Sequence, residues 1–166
     1  MRSGWTEFEE FVDQCGPRLL RSAWLLTGDR HLAEDLLQTA LARSWPKWRR
    51  IRDEQPEAYV RRVMMNVHAS WWRRRWRGEV PHAALPEVVM PEDRYGDVDL
   101  ERTVRQALRR LPARQRAVVV LRYLEDRSVE ETAALLNCSA GTVKSQAAKA
   151  LRTLRGTLPN PIGLGR

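Results

Sequence analysis

Cysteine, histidine and long apolar runs are scarce in this chain of 166 residues. Cys15 and Cys138 are the only cysteines, too few and too far apart for a disulfide framework or a zinc cluster. His31, His68 and His82 follow no metal-ligand spacing, so no metal site is expected. No apolar stretch approaches the roughly 20 residues of a membrane-spanning helix, which argues against membrane insertion. Residues 1–11 are acidic and lack the basic-then-apolar layout of a signal peptide. A P-loop and a Gly-x-Gly-x-x-Gly fingerprint are both missing, so no nucleotide or other cofactor is expected. The carboxylates Glu34 with Asp35, and Glu130 with Glu131, are sequential helix neighbours that do not face one another. No catalytic residue is assigned, and the expectation is a soluble, cytoplasmic protein that is not an enzyme.

Basic charge, by contrast, is abundant and unevenly placed. Twenty-nine Lys and Arg against twenty-one Asp and Glu leave +8, which suggests a polyanionic partner. Residues 1–60 carry a net −1, residues 61–77 carry +6, residues 78–101 carry −6 and residues 102–166 carry +9. The acidic stretch also collects Pro81, Pro86, Pro91 and Gly96, and reads as a linker. The expected organisation is therefore a module over 5–77, an acidic linker over 78–99, a second module over 100–156 and a short tail over 157–166.

Hydrophobic spacing makes both modules all-α, two small helical domains joined by the linker. Phe8, Phe11, Val12 and Cys15 mark one helix face; Leu20, Ala23, Trp24 and Thr27 mark a second helix that Gly28 can stop. Asp29 can cap a third, carrying Leu32, Leu36, Leu37, Ala40, Leu41 and Trp45, which Pro46 should end. A fourth begins near Pro56, with Val60, Val63, Met64, Val67 and Trp71 on its buried stripe.

In the second module, Leu100, Val104, Leu108 and Leu111 form one amphipathic helix and Ala117, Val118, Leu121 and Leu124 the next. Ser128 and Glu131 have capping-box spacing, opening a short helix that ends near Leu136. Asn137, Cys138 and Ser139 form a tight turn into a final helix burying Val143, Ala147, Ala150, Leu151 and Leu154. A helix, a three-residue turn and a basic helix make a helix-turn-helix, whose second helix enters the major groove. Ser145 and Lys149 are placed for base edges, Lys144 and Arg152 for phosphates, and no acid follows Glu131.

Residues 71–77 are unusual in another way, holding Trp71, Trp72 and Trp76 among Arg73, Arg74, Arg75 and Arg77. Four arginines can neutralise at most four phosphates, a log–log salt slope of about −3 to −4. Trp72 and Trp76 lie off the apolar stripe, where an unpaired base could stack. Asn66, upstream on the polar side, is a candidate hydrogen-bonder to such a base.

Here the chain resembles the extracytoplasmic-function sigma factors of bacterial RNA polymerase. Gly28 and Asp29 with Ala33 through Gln38 look like their core-polymerase-binding segment. Ala58 through Arg62, Asn66 and the arginine run look like their −10 recognition and melting segment. Leu111, Pro112, Gln115 and Arg116 with Gly141 through Ser145 look like their −35-binding domain, and the details are most similar to the sigma-E-type branch. The resemblance implies that Asp35 and Gln38 meet the clamp helices of the largest polymerase subunit, with Leu36 and Leu41 packing alongside. It implies that Asn66 and a turn after it capture a flipped −10 base, with Arg62, Trp72, Arg73, Arg74 and Arg75 on the strand. Thr142, Lys144, Ser145, Lys149 and Arg152 would serve the −35 element. The implied partners are core RNA polymerase and promoter DNA; an anti-sigma factor would cover the same surfaces, although no segment identifies it. Gln146, Ala148 and Leu151 stand where longer or basic side chains are frequent, so no particular −35 sequence carries over. One rival is an autonomous helix-turn-helix regulator binding duplex DNA as a dimer, which leaves residues 34–38 and the Trp/Arg run without a purpose. The other is a membrane-surface protein using a basic amphipathic helix, disfavoured because the Trp/Arg segment has arginine on most sides.

Overall fold

The computed structural model describes residues 3–76 and 99–157, and its chain divides into two compact units, Met1–Trp24 with Asp29–Glu87, and Leu25–Gly28 with Val88–Arg166. Of the expected linker (78–99) and tail (157–166), residues 78–98 and 158–166 lie outside the described residues, as do Arg77 and the side chains of Arg75, Trp76, Asp99, Leu100 and Glu101. Asp99 belongs to a helix and so does Thr157. Every regular element among the described residues is helical.

Helix α1 spans Gly4–Thr27 without a break, where spacing suggests two helices. Pro17 sits inside it and removes one backbone N–H; the carbonyl left over belongs to Asp13, on the exposed face where solvent reaches it. Gly28 then takes a φ of +71°, a left-handed stop open to glycine at little cost. Asp29 caps α2 (Arg30–Ser44), its carboxylate accepting from the Leu32 N–H at 2.9 Å. Pro46 belongs to a 3-10 turn (Trp45–Lys47) that ends α2 where expected. A one-turn helix α3 (Trp48–Ile51) follows, too short to leave a periodic signal. It matters for packing: Trp48 is buried and its ring meets Phe8 edge-on at 5.1 Å and Phe11 at 5.2 Å. Helix α4 (Pro56–Trp76) buries Val60, Met64 and Val67 as expected, together with Met65 and Ala69; Val63 and Trp71 are half-buried.

The second unit holds α5 (Asp99–Arg110), α6 (Ala113–Val119), α7 (Val129–Leu136) and α8 (Ala140–Thr157). Between α6 and α7 the chain widens into a π-type turn over Val120–Leu124, the Glu125 N–H reaching back to the Val120 carbonyl at 2.9 Å. That extra residue per turn rotates Leu124 off the apolar stripe, and it is 47% exposed instead of buried. Ser128 and Glu131 form the expected capping box, with bonds of 3.0 and 2.8 Å. Asn137, at φ +54°, ends α7 in the left-handed conformation that asparagine tolerates. Ser139 then caps α8, accepting from the Thr142 N–H at 3.0 Å. Leu151 is half-buried; the stripe below it is Val143, Ala147, Ala150 and Leu154.

Candidate nucleic-acid and protein interfaces

Three surfaces carry the residues singled out by sequence. On α8 the four buried side chains define one side of the helix, and Ser145, Lys149 and Arg152 stand opposite, all exposed. Lys144 is exposed at the flank of that face, and Ala148 lies within it. Thr142 is half-buried, its hydroxyl 2.9 Å from the Ser139 hydroxyl, so it belongs to the cap as much as to the outer face. Because both ends of the α7–α8 turn are capped by local hydrogen bonds, the outward stripe is held in a fixed direction.

On α4, Arg62 and Asn66 are exposed and Arg73 is half-buried, and these three fall on one side of the helix. Arg74 is exposed on another side, and Arg75 lies within α4 with its side chain outside the description. Trp72 is half-buried. The turn expected after Asn66 does not form, since α4 continues unbroken for ten further residues to Trp76. Nothing between Asn66 and Trp76 breaks a helix, neither Pro nor Gly, and Val67 and Ala69 are buried along it.

On α2, Asp35 and Gln38 are exposed at i and i+3, while Leu36 and Leu41 point the other way. Leu36 is 0% and Leu41 6% exposed, so both fill the unit's own core and neither offers surface to a partner. Their contribution is to fix which side of α2 faces out. Glu34 pairs with Arg30 at 3.1 Å, but among the described residues Asp35 has no ion-pair partner. It lies beyond the first turn of α2, where helix-dipole stabilisation has faded.

Sequence reasoning missed a charged cluster joining α1 to α4. Glu57, in the first turn of α4, accepts from Arg18 Nη2 at 2.8 Å and Nε at 3.1 Å, and from Arg61 Nη2 at 3.4 Å. Arg61 Nη1 also donates to the Ser22 hydroxyl at 2.6 Å. Arg18 beside it pulls the Glu57 carboxyl down to about 2, and burial, followed by the hydrogen bond to Glu57 and then its charge, pushes the nearby Cys15 thiol up. These partners are 39 positions apart, so no local pattern announces them.

Comparison with known proteins matches the two units in chain order. Sigma-70 region 2 matches residues 11–78, and Sigma-70, region 4 matches residues 101–154. The chain is 48% identical over 92% of its length to the RNA polymerase sigma-E factor of Streptomyces coelicolor, covering 86% of that protein. It is 31% identical over 96% of its length to the ECF RNA polymerase sigma factor SigM of Mycobacterium tuberculosis, covering 82%. Among solved structures it resembles the sigma factor RpoE of Bartonella quintana, crystallised with the anti-sigma factor NepR. That likeness has a TM-score of 0.62 at 27% identity and covers 93% of this chain and 98% of that one. Two helical units bearing regions 2 and 4 define a sigma factor of the sigma-70 class. Within that class, the chain belongs to the extracytoplasmic-function sigma factors of RNA polymerase, on the sigma-E-type branch. As such it binds core RNA polymerase and directs initiation at promoters, in a family whose members are non-catalytic subunits of the polymerase.

Proposed function

We propose that the three surfaces divide the work of initiation. Asp35 and Gln38 on α2 dock on the polymerase clamp helices, with Leu36 and Leu41 holding α2 in that orientation from the core side. Arg62, Asn66 and Arg73 on one side of α4, with Trp72, Arg74 and Arg75 around its last turns, hold the melted −10 strand. On α8, Ser145 and Lys149 read −35 base edges, Lys144 and Arg152 take phosphates, and Thr142 secures the helix start. The domain boundaries follow as 5–77 and 100–156, with 78–99 as tether. The protein acts in the cytoplasm and has no catalytic site of its own. Among the described residues no helix is long and apolar enough to cross a membrane. An anti-sigma factor that covers these surfaces is the natural antagonist; the Bartonella sigma factor RpoE was crystallised in complex with one, NepR.

The observation that carries this reading is the α8 face: Ser145, Lys149 and Arg152 exposed directly opposite a four-residue buried stripe, with no acid on the helix. The test is transcription with purified core polymerase on fragmented genomic DNA, with and without this protein, mapping new RNA 5′ ends. New starts that share −35 and −10 elements are the expected result. Specific duplex binding by the protein alone, with no new starts, would instead support the autonomous regulator.

A further inference from the structure

We propose that Arg18, Ser22, Glu57 and Arg61 form a two-rung latch that sets the roll and register of α4 on α1, making Glu57 a positioning residue for −10 capture. The inference rests on the assignment of α4 to the melted strand. One rung is the two-point pairing of Arg18 with Glu57, and the other is the bond from Arg61 to Ser22. Both rungs advance four residues on each helix, so α1 and α4 run in the same direction here and a one-turn slip breaks both. The aliphatic contacts enforce this firmly in one direction only. A one-turn slip one way brings His68 and Trp71 to the buried places of Met64 and Val67. The other way brings Pro56, Val60 and Val63 to those of Val60, Met64 and Val67, all apolar, so burial alone discriminates weakly against that register. Directional polar pairs discriminate between registers that hydrophobic burial tolerates.

Roll matters because of what lies across the helix. At about 100° per residue, Arg62, Asn66 and Arg73 lie roughly 140–180° around α4 from Glu57. A latch on one side therefore fixes the outward direction of Arg62, Asn66 and Arg73 on the other. Arg18 is more than half exposed and Glu57 about a third, so the pairing adds little to stability while constraining geometry closely.

The test uses holoenzyme reconstituted from core polymerase and the full chain, with a single strand carrying the −10 element of a promoter mapped as above. Glu57→Gln removes the charge and keeps the shape. Arg18→Met with Glu57→Met replaces the rung by undirected packing that preserves folding. Both are expected to lower strand capture about threefold to fivefold, since an exposed pairing shifts the register population by no more than its own free energy, with core affinity changed less than about twofold. Asn66→Ala serves as the reference for the α4 assignment. Capture that falls only in step with core affinity and melting temperature would make the cluster merely structural and overturn the proposal. So would unchanged capture in the latch variants where Asn66→Ala abolishes it. If Asn66→Ala also leaves capture intact, the α4 assignment fails, and the latch role fails with it.

Discussion

A carboxylate that costs little to expose can still be held far from its ordinary titration range, and Glu57 is such a group. Two contacts from Arg18 and one from Arg61 favour its charged form against the opposing cost of partial burial. Its folded pKa, about 2, lies below the ordinary carboxylate value near 4.5. The sign follows: the stabilisation is fully present above about pH 5 and is lost as pH falls toward 2. With the carboxylate about a third exposed, solvent screening limits it to about 1 kcal/mol. Thermal unfolding of the chain and of Glu57→Gln should therefore differ by a constant amount at neutral pH and converge only below about pH 2. A second residue-scale prediction concerns Ser128, whose hydroxyl closes the capping box of α7. Ser128→Ala should cost about 1 kcal/mol in denaturant unfolding. Glu57 and Ser128 also mark what can be read from a sequence. Asp29, Ser128 and Ser139 cap helices through partners three residues away, so their roles are written locally. The partners of Glu57 and Arg61 on α1 depend on how two helices meet, and residue order alone carries no sign of them.

Apolar spacing marks α2, α4, α5 and α8, each longer than two turns, but it splits the long α1 in two and misplaces Leu124, where one residue changes the count. The π-type turn after α6 is the clearest instance. Ala117, Val118 and Leu121 are buried as their spacing implies, and one widened turn later Leu124 is exposed. Leu121→Ala should then cost about 2–5 kcal/mol, and Leu124→Ser within about 0.5 kcal/mol. Equal costs in equilibrium unfolding would contradict the rotated register. Helix α1 departs in the opposite sense: spacing suggests two helices, and one helix runs on through Pro17, which lies on its exposed side. Helix α3 went unread because four residues are too few for a period, although Trp48 within it anchors the ring cluster with Phe8 and Phe11. On α8 spacing was a good guide, and its exposed face makes a sharper prediction. Lys149→Ala should weaken use of the −35 element by about 1–3 kcal/mol if it meets a base, and relax the preference at one position. A uniform loss across promoters, with the salt slope reduced by about one, would reassign Lys149 to a phosphate.

For the whole molecule, charge is segregated by task, and the segregation separates two kinds of defect. In the proposed division of work, the basic faces of α4 and α8 would meet nucleic acid, whose attraction is screened by salt. The exposed Asp35 and Gln38 on α2 are of the opposite character, an acid and an amide on a helix whose other side is core. A carboxylate exposed in mid-helix without an ion-pair partner does little for its own fold, so its removal should leave stability within about 0.5 kcal/mol. Its removal should nonetheless impair holoenzyme assembly if it meets a cationic group on the polymerase clamp. Asp35→Ala is thus expected to lower affinity for core polymerase severalfold, while the promoters chosen by the holoenzyme that does form stay the same. Lys149→Ala should do the reverse, leaving assembly intact and changing which promoters are used. Titration of core polymerase with each variant, followed by mapping of RNA 5′ ends at saturating sigma, separates the two. If Asp35→Ala assembled normally, the clamp contact would have to move to another exposed position on α2. If it altered promoter choice at saturation, α2 would influence DNA selection, and the division of labour among the three helices would fail.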